Sequence, residues 1–171
     1  INTKLIAVQV KSKEESAWSW EPPIPFQRKV KLKIKVPRED KYSSIYKKNS
    51  SGWSFFSSKR EGEYLVGLTD CLGTFGILRD TVAPEVSLSG KHFSSEMPLR
   101  IHVRDALSGV DFYSIKTSVD GEQTVFRYDL QKERLIFEHP EEISEGNHSL
   151  EISLSDRQGN KISKTWEIVK N

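Results

Sequence analysis

The chain has 171 residues, 36% of them hydrophobic and 10% aromatic, which excludes global disorder and allows one domain or two small ones. A single cysteine, Cys71, excludes an intrachain disulfide and a cysteine zinc site, and no apolar run approaches the roughly 18 residues of a membrane-spanning helix. The formal net charge of +2 is unevenly divided: residues 1–81 carry 15 Lys+Arg against 9 Asp+Glu, and residues 82–171 carry 11 against 15, for nets of +6 and −4. The chain starts at Ile1, without a signal peptide, and is expected to be a fragment or a processed product.

Nearly every apolar cluster has period 2, the signature of half-buried strands. Residues 5–10 (LIAVQV) are a candidate opening strand. EPPIPF follows, and three prolines in six residues argue against regular structure there. RKVKLKIKV then alternates strictly, with Val30, Leu32, Ile34 and Val36 between Arg28, Lys29, Lys31, Lys33 and Lys35. That pattern predicts a strand with one wet face, whose lysines also oppose edge-to-edge pairing. SSIYKK (43–48) and GWSFFSS (52–58) predict a hairpin turning at Asn49-Ser50-Ser51. EYLVGLTD (63–70) and GTFGILRD (73–80) read as a second pair.

DTVAPEV marks a seam near residues 81–84, where Pro84 suits the first residue of a strand. Beyond it, PEVSLSG (84–90), LRIHVRD (99–105), VDFYSIKTSV (110–119), TVFRYD (124–129), RLIFEH (134–139), GNHSLEISLSD (146–156) and ISKTWEIV (162–169) all alternate. DALSG and RQGN are turns, and Asp120-Gly121 is a strong hairpin signal. Seven closely spaced strands fit an immunoglobulin-like sandwich. The expected fold is all-β: two tandem immunoglobulin-like β-sandwich domains, 1–81 and 82–171.

Few residues carry chemistry. No G-x-S-x-G elbow occurs, Cys71 has no histidine beside it, and Glu141-Glu142 lie in a polar loop without the geometry for glycoside cleavage. Cys71 reads as a small buried hydrophobe. His102 and His148 are expected on outward strand positions. Asp105, Asp111, Asp156 and Asn160 fall near turns that could share one end of the second sandwich and supply oxygens to calcium. The preferred alternative is that Asp105 and Asp156 cap turns. Trp18, Trp20 and Trp53 crowd the basic half. With Lys31, Lys33 and Lys35 they are candidate contacts for an anionic, sugar-rich polymer. Packing against a neighbouring domain or over the sandwich end is the preferred reading of the tryptophans.

The strings IYKKNSSGWSFFSSKREGEYLVG and GTFGILRDTVAPEV resemble a module found C-terminal to the catalytic domain of some bacterial lysostaphin-like zinc endopeptidases. DALSGVDFYSIKTSVDGE, YDLQKERLIF and GNHSLEISLSDRQGN resemble bacterial immunoglobulin-like domains. The resemblance covers the chain from Pro25 onward. It implies an extracytoplasmic protein whose catalytic domain, if any, lies upstream. Such enzymes hold zinc with two histidines and an aspartate, one histidine in a His-x-His motif. His92, His102, His139 and His148 show no such spacing, so no ligand is carried over. The expected function is that of a non-catalytic accessory region of a secreted cell-envelope protein. It has no cofactor of its own. It positions a peptidoglycan endopeptidase or binds envelope polymer, and does not bind nucleic acid or span a membrane. The alternative is an adhesin or carbohydrate-binding sandwich with no peptidase attached.

Overall fold

A computed structural model describes residues 8–11, 16–20, 24–36 and 41–171. Those residues form an all-β protein whose one helical turn is a 3-10 segment at Pro140–Glu142. The chain divides into two compact units, Ile1–Thr81 and Val82–Asn171.

The first unit contains β1 (Val8–Lys11), β2 (Ser16–Ser19), β3 (Pro25–Lys35), β4 (Ser43–Asn49), β5 (Gly52–Phe56), β6 (Ser58–Glu61), β7 (Tyr64–Cys71) and β8 (Thr74–Arg79). They build two sheets, in the orders β1-β2-β8-β4-β5 and β3-β7-β6. Ile34 and Leu65 from the smaller sheet, with Val36 just beyond β3, meet Ile45 and Phe75 from the larger in one core. The opening strand of the sequence reading lies partly outside the described residues, as do Pro22, Pro23 and Pro37.

Three local expectations give way. EPPIPF does not wholly lack regular structure, because β3 already starts at Pro25, which pairs with Cys71 before the register shifts ahead of Val30. Proline is tolerated there because a first strand residue needs no ladder donor. The 52–58 run is not one strand: it breaks at Ser57, with Phe56 in the larger sheet and Ser58 opening β6 in the smaller. The Ile45 amide donates to Ser58 Oγ at 3.3 Å across this corner. Strands β7 and β8 do not pair. β7 lies between β3 and β6, whereas β8 lies between β2 and β4. Thr69 Oγ1 donates to Cys71 O at 2.7 Å, and the Leu72 amide donates to Ile24 O, which turns the chain out of one sheet before β8 begins.

The second unit contains β9 (Glu85–Leu88), β10 (His92–Phe93), β11 (Arg100–Arg104), β12 (Val110–Val119), β13 (Glu122–Gln123), β14 (Phe126–Asp129), β15 (Arg134–Phe137), β16 (Gly146–Asp156) and β17 (Lys161–Lys170). Its sheets run β14-β15-β11-β9 and β10-β17-β16-β12-β13. All pairs are antiparallel except β10 with β17. Ile101, Val103 and Leu135 from one sheet and Leu150, Ile152 and Ile168 from the other share a single core, with Trp166 packed at its margin. The alternation of each strand explains this sandwich-like arrangement, since every second side chain of both sheets points to the same interior. At Asp120-Gly121 both residues take positive φ (52° and 86°), the backbone that a two-residue hairpin turn needs.

Strand β12 carries a large irregularity. Val110 and Asp111 pair with Asp156 and Ser155, but the next pair is Lys116 with Ser153. Residues 112–115 therefore stand opposite Leu154 alone. The Ser114 hydroxyl bridges the irregularity: it accepts from the Ser155 amide at 2.8 Å and donates to Asp111 O at 2.6 Å.

Candidate interaction faces

The lysine strand builds the clearest exposed face of the first unit. Ile34 points inward and is buried, while Lys31, Lys33 and Lys35 point outward. Directly paired residues of an antiparallel ladder share a face. Lys31 therefore stands beside Leu68 and Lys35 beside Tyr64. Leu68 and Tyr64 are 58% and 40% exposed, so the ammonium groups rise beside accessible apolar surface. Glu61 reaches from β6 to within 3.5 Å of Lys31 and 3.4 Å of Lys33, and Glu63 lies 3.1 Å from Lys35. Lys31 is the chief cause holding the Glu61 carboxyl below its ordinary value, and the Glu63 bond raises Lys35. Exposed pairs of this kind exchange readily with solvent and are screened by salt.

The tryptophans sit differently. Trp18 and Trp20 are half-buried and pack on the first unit's core, Trp20 meeting Phe75 edge-on with ring centroids 6.0 Å apart. Trp53 and Phe55 project from the opposite face of the larger sheet. Trp53 is half-buried beside Gly76, and Lys48 Nζ sits 5.6 Å from its ring centroid. Gly76 makes this approach possible: a Cβ there would lie 2.8 Å from the indole. The three tryptophans and three lysines are thus not gathered in one site. Cys71 is half-buried rather than enclosed, and Lys47 donates to its sulfur at 2.7 Å.

In the second unit, carboxylate oxygens of Asp105 and Asp156 lie within 4.8 Å of one another. Both are engaged in turns. Asp105 Oδ1 accepts from the amides of Leu107 at 3.1 Å and Gly109 at 2.6 Å. Asp156 accepts from the amides of Gln158 and Asn160 and, at 2.6 Å, from the Asn160 side chain. Asp111 serves the β12 irregularity instead, accepting from the Tyr113 amide at 3.1 Å. These bonds are the turn-capping geometry that Asp and Asn adopt without a metal.

His102 is exposed on β11. His148 departs from the expectation of an outward position. It is 9% exposed and pairs with the buried Ile168. Its Nδ1 lies 2.6 Å from Asp120 Oδ2 and its Nε2 2.9 Å from Ser144 O. The signal was available in the sequence, because His148 has the same parity as Leu150, Ile152 and Leu154.

No protein-family model matches the chain, and no curated protein matches it. Among the described residues no helix is long and apolar enough to cross a membrane.

Proposed function

We propose that this chain is a non-catalytic accessory region of an extracytoplasmic cell-envelope protein, composed of two tandem immunoglobulin-like sandwiches, and that it holds its protein against envelope polymer. The observation that carries the reading is the strand order of the second unit. Taking its longer strands in sequence, β9, β11, β15 and β14 correspond to strands A, B, E and D of an immunoglobulin domain, and β12, β16 and β17 to C, F and G. The two observed sheets separate the strands in that way. Fold alone does not assign function. The motifs resembling accessory modules of lysostaphin-like endopeptidases supply the envelope context, and an upstream peptidase is the proposed partner.

The lysine face of β3 is the proposed polymer contact. Its ammonium groups are exposed, their glutamate partners are equally exposed, and Leu68 offers apolar area beside them. An anionic polymer could replace Glu61 and Glu63 as the lysines' counter-charge. The test is to incubate the purified chain with labelled cell-wall fragments and excess zinc, then separate pellet from supernatant. The expected result is chain retained on the pellet with no label released. Label release that disappears when a histidine is substituted would overturn the non-catalytic reading.

A further inference from the structure

The irregularity in β12 opens a groove of about 540 Å³ on the outer face of the second unit, lined by Ser114, Lys116, Ser153, Leu154, Lys161 and Ser163 among others. No carboxylate lines it, although acids outnumber bases in residues 82–171 by 15 to 11. A second groove of about 320 Å³ shares Lys116, Ser153 and Ser163 with it and is also lined by Glu151, so a carboxylate lies on that side. The other lysines of β17 are engaged: Lys164 donates to Val86 O at 2.6 Å, and Lys170 to Ile143 O. Among the described residues Lys116 and Lys161 have no ion-pair or hydrogen-bond partner, and neither has the Ser153 hydroxyl. Ser114 is committed to the irregular backbone, and Ser163 donates to Ile152 O at 3.3 Å.

We propose that this groove binds a phosphate group, with Lys116 and Lys161 supplying charge and Ser153 a hydroxyl donor. Two ammonium groups and a hydroxyl suit a tetrahedral oxyanion, because lysine acts as a point charge with rotatable donors. A planar carboxylate is better met by the fixed fork of arginine, and no arginine lines the groove. The inference uses residues separate from the β3 lysine face and does not rest on the envelope reading.

The test is a titration of the isotope-labelled full chain with inorganic phosphate at low ionic strength, followed by amide chemical shifts. Parallel arms use acetate and linear polyphosphate. The largest shifts are expected at Lys116, Ser153, Lys161 and Ser163. Phosphate should bind at least about tenfold more tightly than acetate, and Lys116→Gln with Lys161→Gln should weaken it about tenfold. Lys132→Gln, an exposed lysine of the second unit outside the groove, should leave the affinity unchanged. Read at the groove amides, polyphosphate binding more tightly than phosphate would assign the site to a polymer, and equal affinity to the free ion. Shifts absent from the groove, or concentrated on the β3 lysines, would overturn the proposal. So would equal affinity for acetate, or a folded double variant that binds like the parent. The shift map of the unsubstituted chain decides the matter even if the double variant does not fold.

Discussion

The carboxylate of Asp120 lies 2.6 Å from Nδ1 of His148 and ties the β12–β13 turn to the start of β16. The same carboxylate accepts from the Ser149 amide at 2.8 Å, while Nε2 of His148 faces the Ser144 carbonyl. Both ring nitrogens therefore face acceptors. A neutral imidazole carries one N–H and satisfies only one of them; the imidazolium satisfies both. The bond to Asp120 raises the His148 pKa above the ordinary 6.5, against the lowering by burial. The Ser149 amide, followed by His148, lowers Asp120 below its ordinary 3.8.

The stability contributed by His148 is fully present below its unfolded pKa and is lost as pH rises through the raised folded value. That of Asp120 is present above its unfolded pKa and is lost as pH falls through the depressed folded value. The pair thus contributes most between the two ordinary values of 3.8 and 6.5. Urea melts should show a larger stability gap between the parent and His148→Gln at about pH 5.5 than at about pH 8. Nitrogen NMR of the ring should find both nitrogens protonated at the lower pH. A gap that widens toward pH 8 would contradict this assignment.

Gly67 and Gly76 should differ in their tolerance of alanine. A Cβ on Gly67 would lie 2.4 Å from Cε1 of Phe56 and 3.1 Å from the Ser57 carbonyl oxygen. Phe56 is fixed edge-on against Phe75, with centroids 5.2 Å apart, and cannot withdraw without disturbing the core. The contact at Gly76 is with Trp53, whose half-buried ring can shift toward solvent. Gly67→Ala is expected to cost about 1–3 kcal/mol, the usual range for overpacking, and Gly76→Ala less. Thermal or denaturant melts of the two variants measure the difference.

Ser114→Ala should destabilise the second unit by about 1–3 kcal/mol, because it removes the hydroxyl that accepts from the Ser155 amide at the edge of the β12 irregularity. Ser118→Ala, on the same strand but within the regular ladder, should change stability by no more than about 0.5 kcal/mol. Tyr113 is fully exposed at the irregular segment, and Tyr113→Ala should also be near neutral. Amide exchange at Ser155 reports the first effect directly.

Period-2 alternation located most strands, as it did for β11, where Ile101 and Val103 are buried between exposed Arg100, His102 and Arg104. Alternation says which face a residue takes but not which strand lies beside it. For that reason the side-by-side reading of β7 and β8 failed, although both segments are strands. Polar bonds at Thr69, to Cys71, and at Ser58, from Ile45 thirteen residues away, accompany the passage of the chain between sheets, and such bonds leave no periodic trace. The irregularity at residues 112–115 was equally hidden. VDFYSIKTSV reads as an unbroken strand, and only the hydroxyl of Ser114 distinguishes it. Asp105 and Asp156 were legible as turn caps because the bonds they make are local. The lysine groove was not legible, since it depends on β12, β16 and β17 lying side by side.

The proposed polymer contact predicts a specific salt response. Screening falls from a length of about 10 Å at 0.1 M salt to about 3 Å at 1 M, so attraction through Lys31, Lys33 and Lys35 should fade over that range. The decisive measurement is co-sedimentation of the full chain with purified cell wall across this series, alongside Lys31→Gln, Lys33→Gln and Lys35→Gln combined. The account predicts strong retention at low salt, a steep loss toward 1 M, and weak retention of the triple variant throughout. Retention that changes with neither salt nor the triple substitution would contradict it.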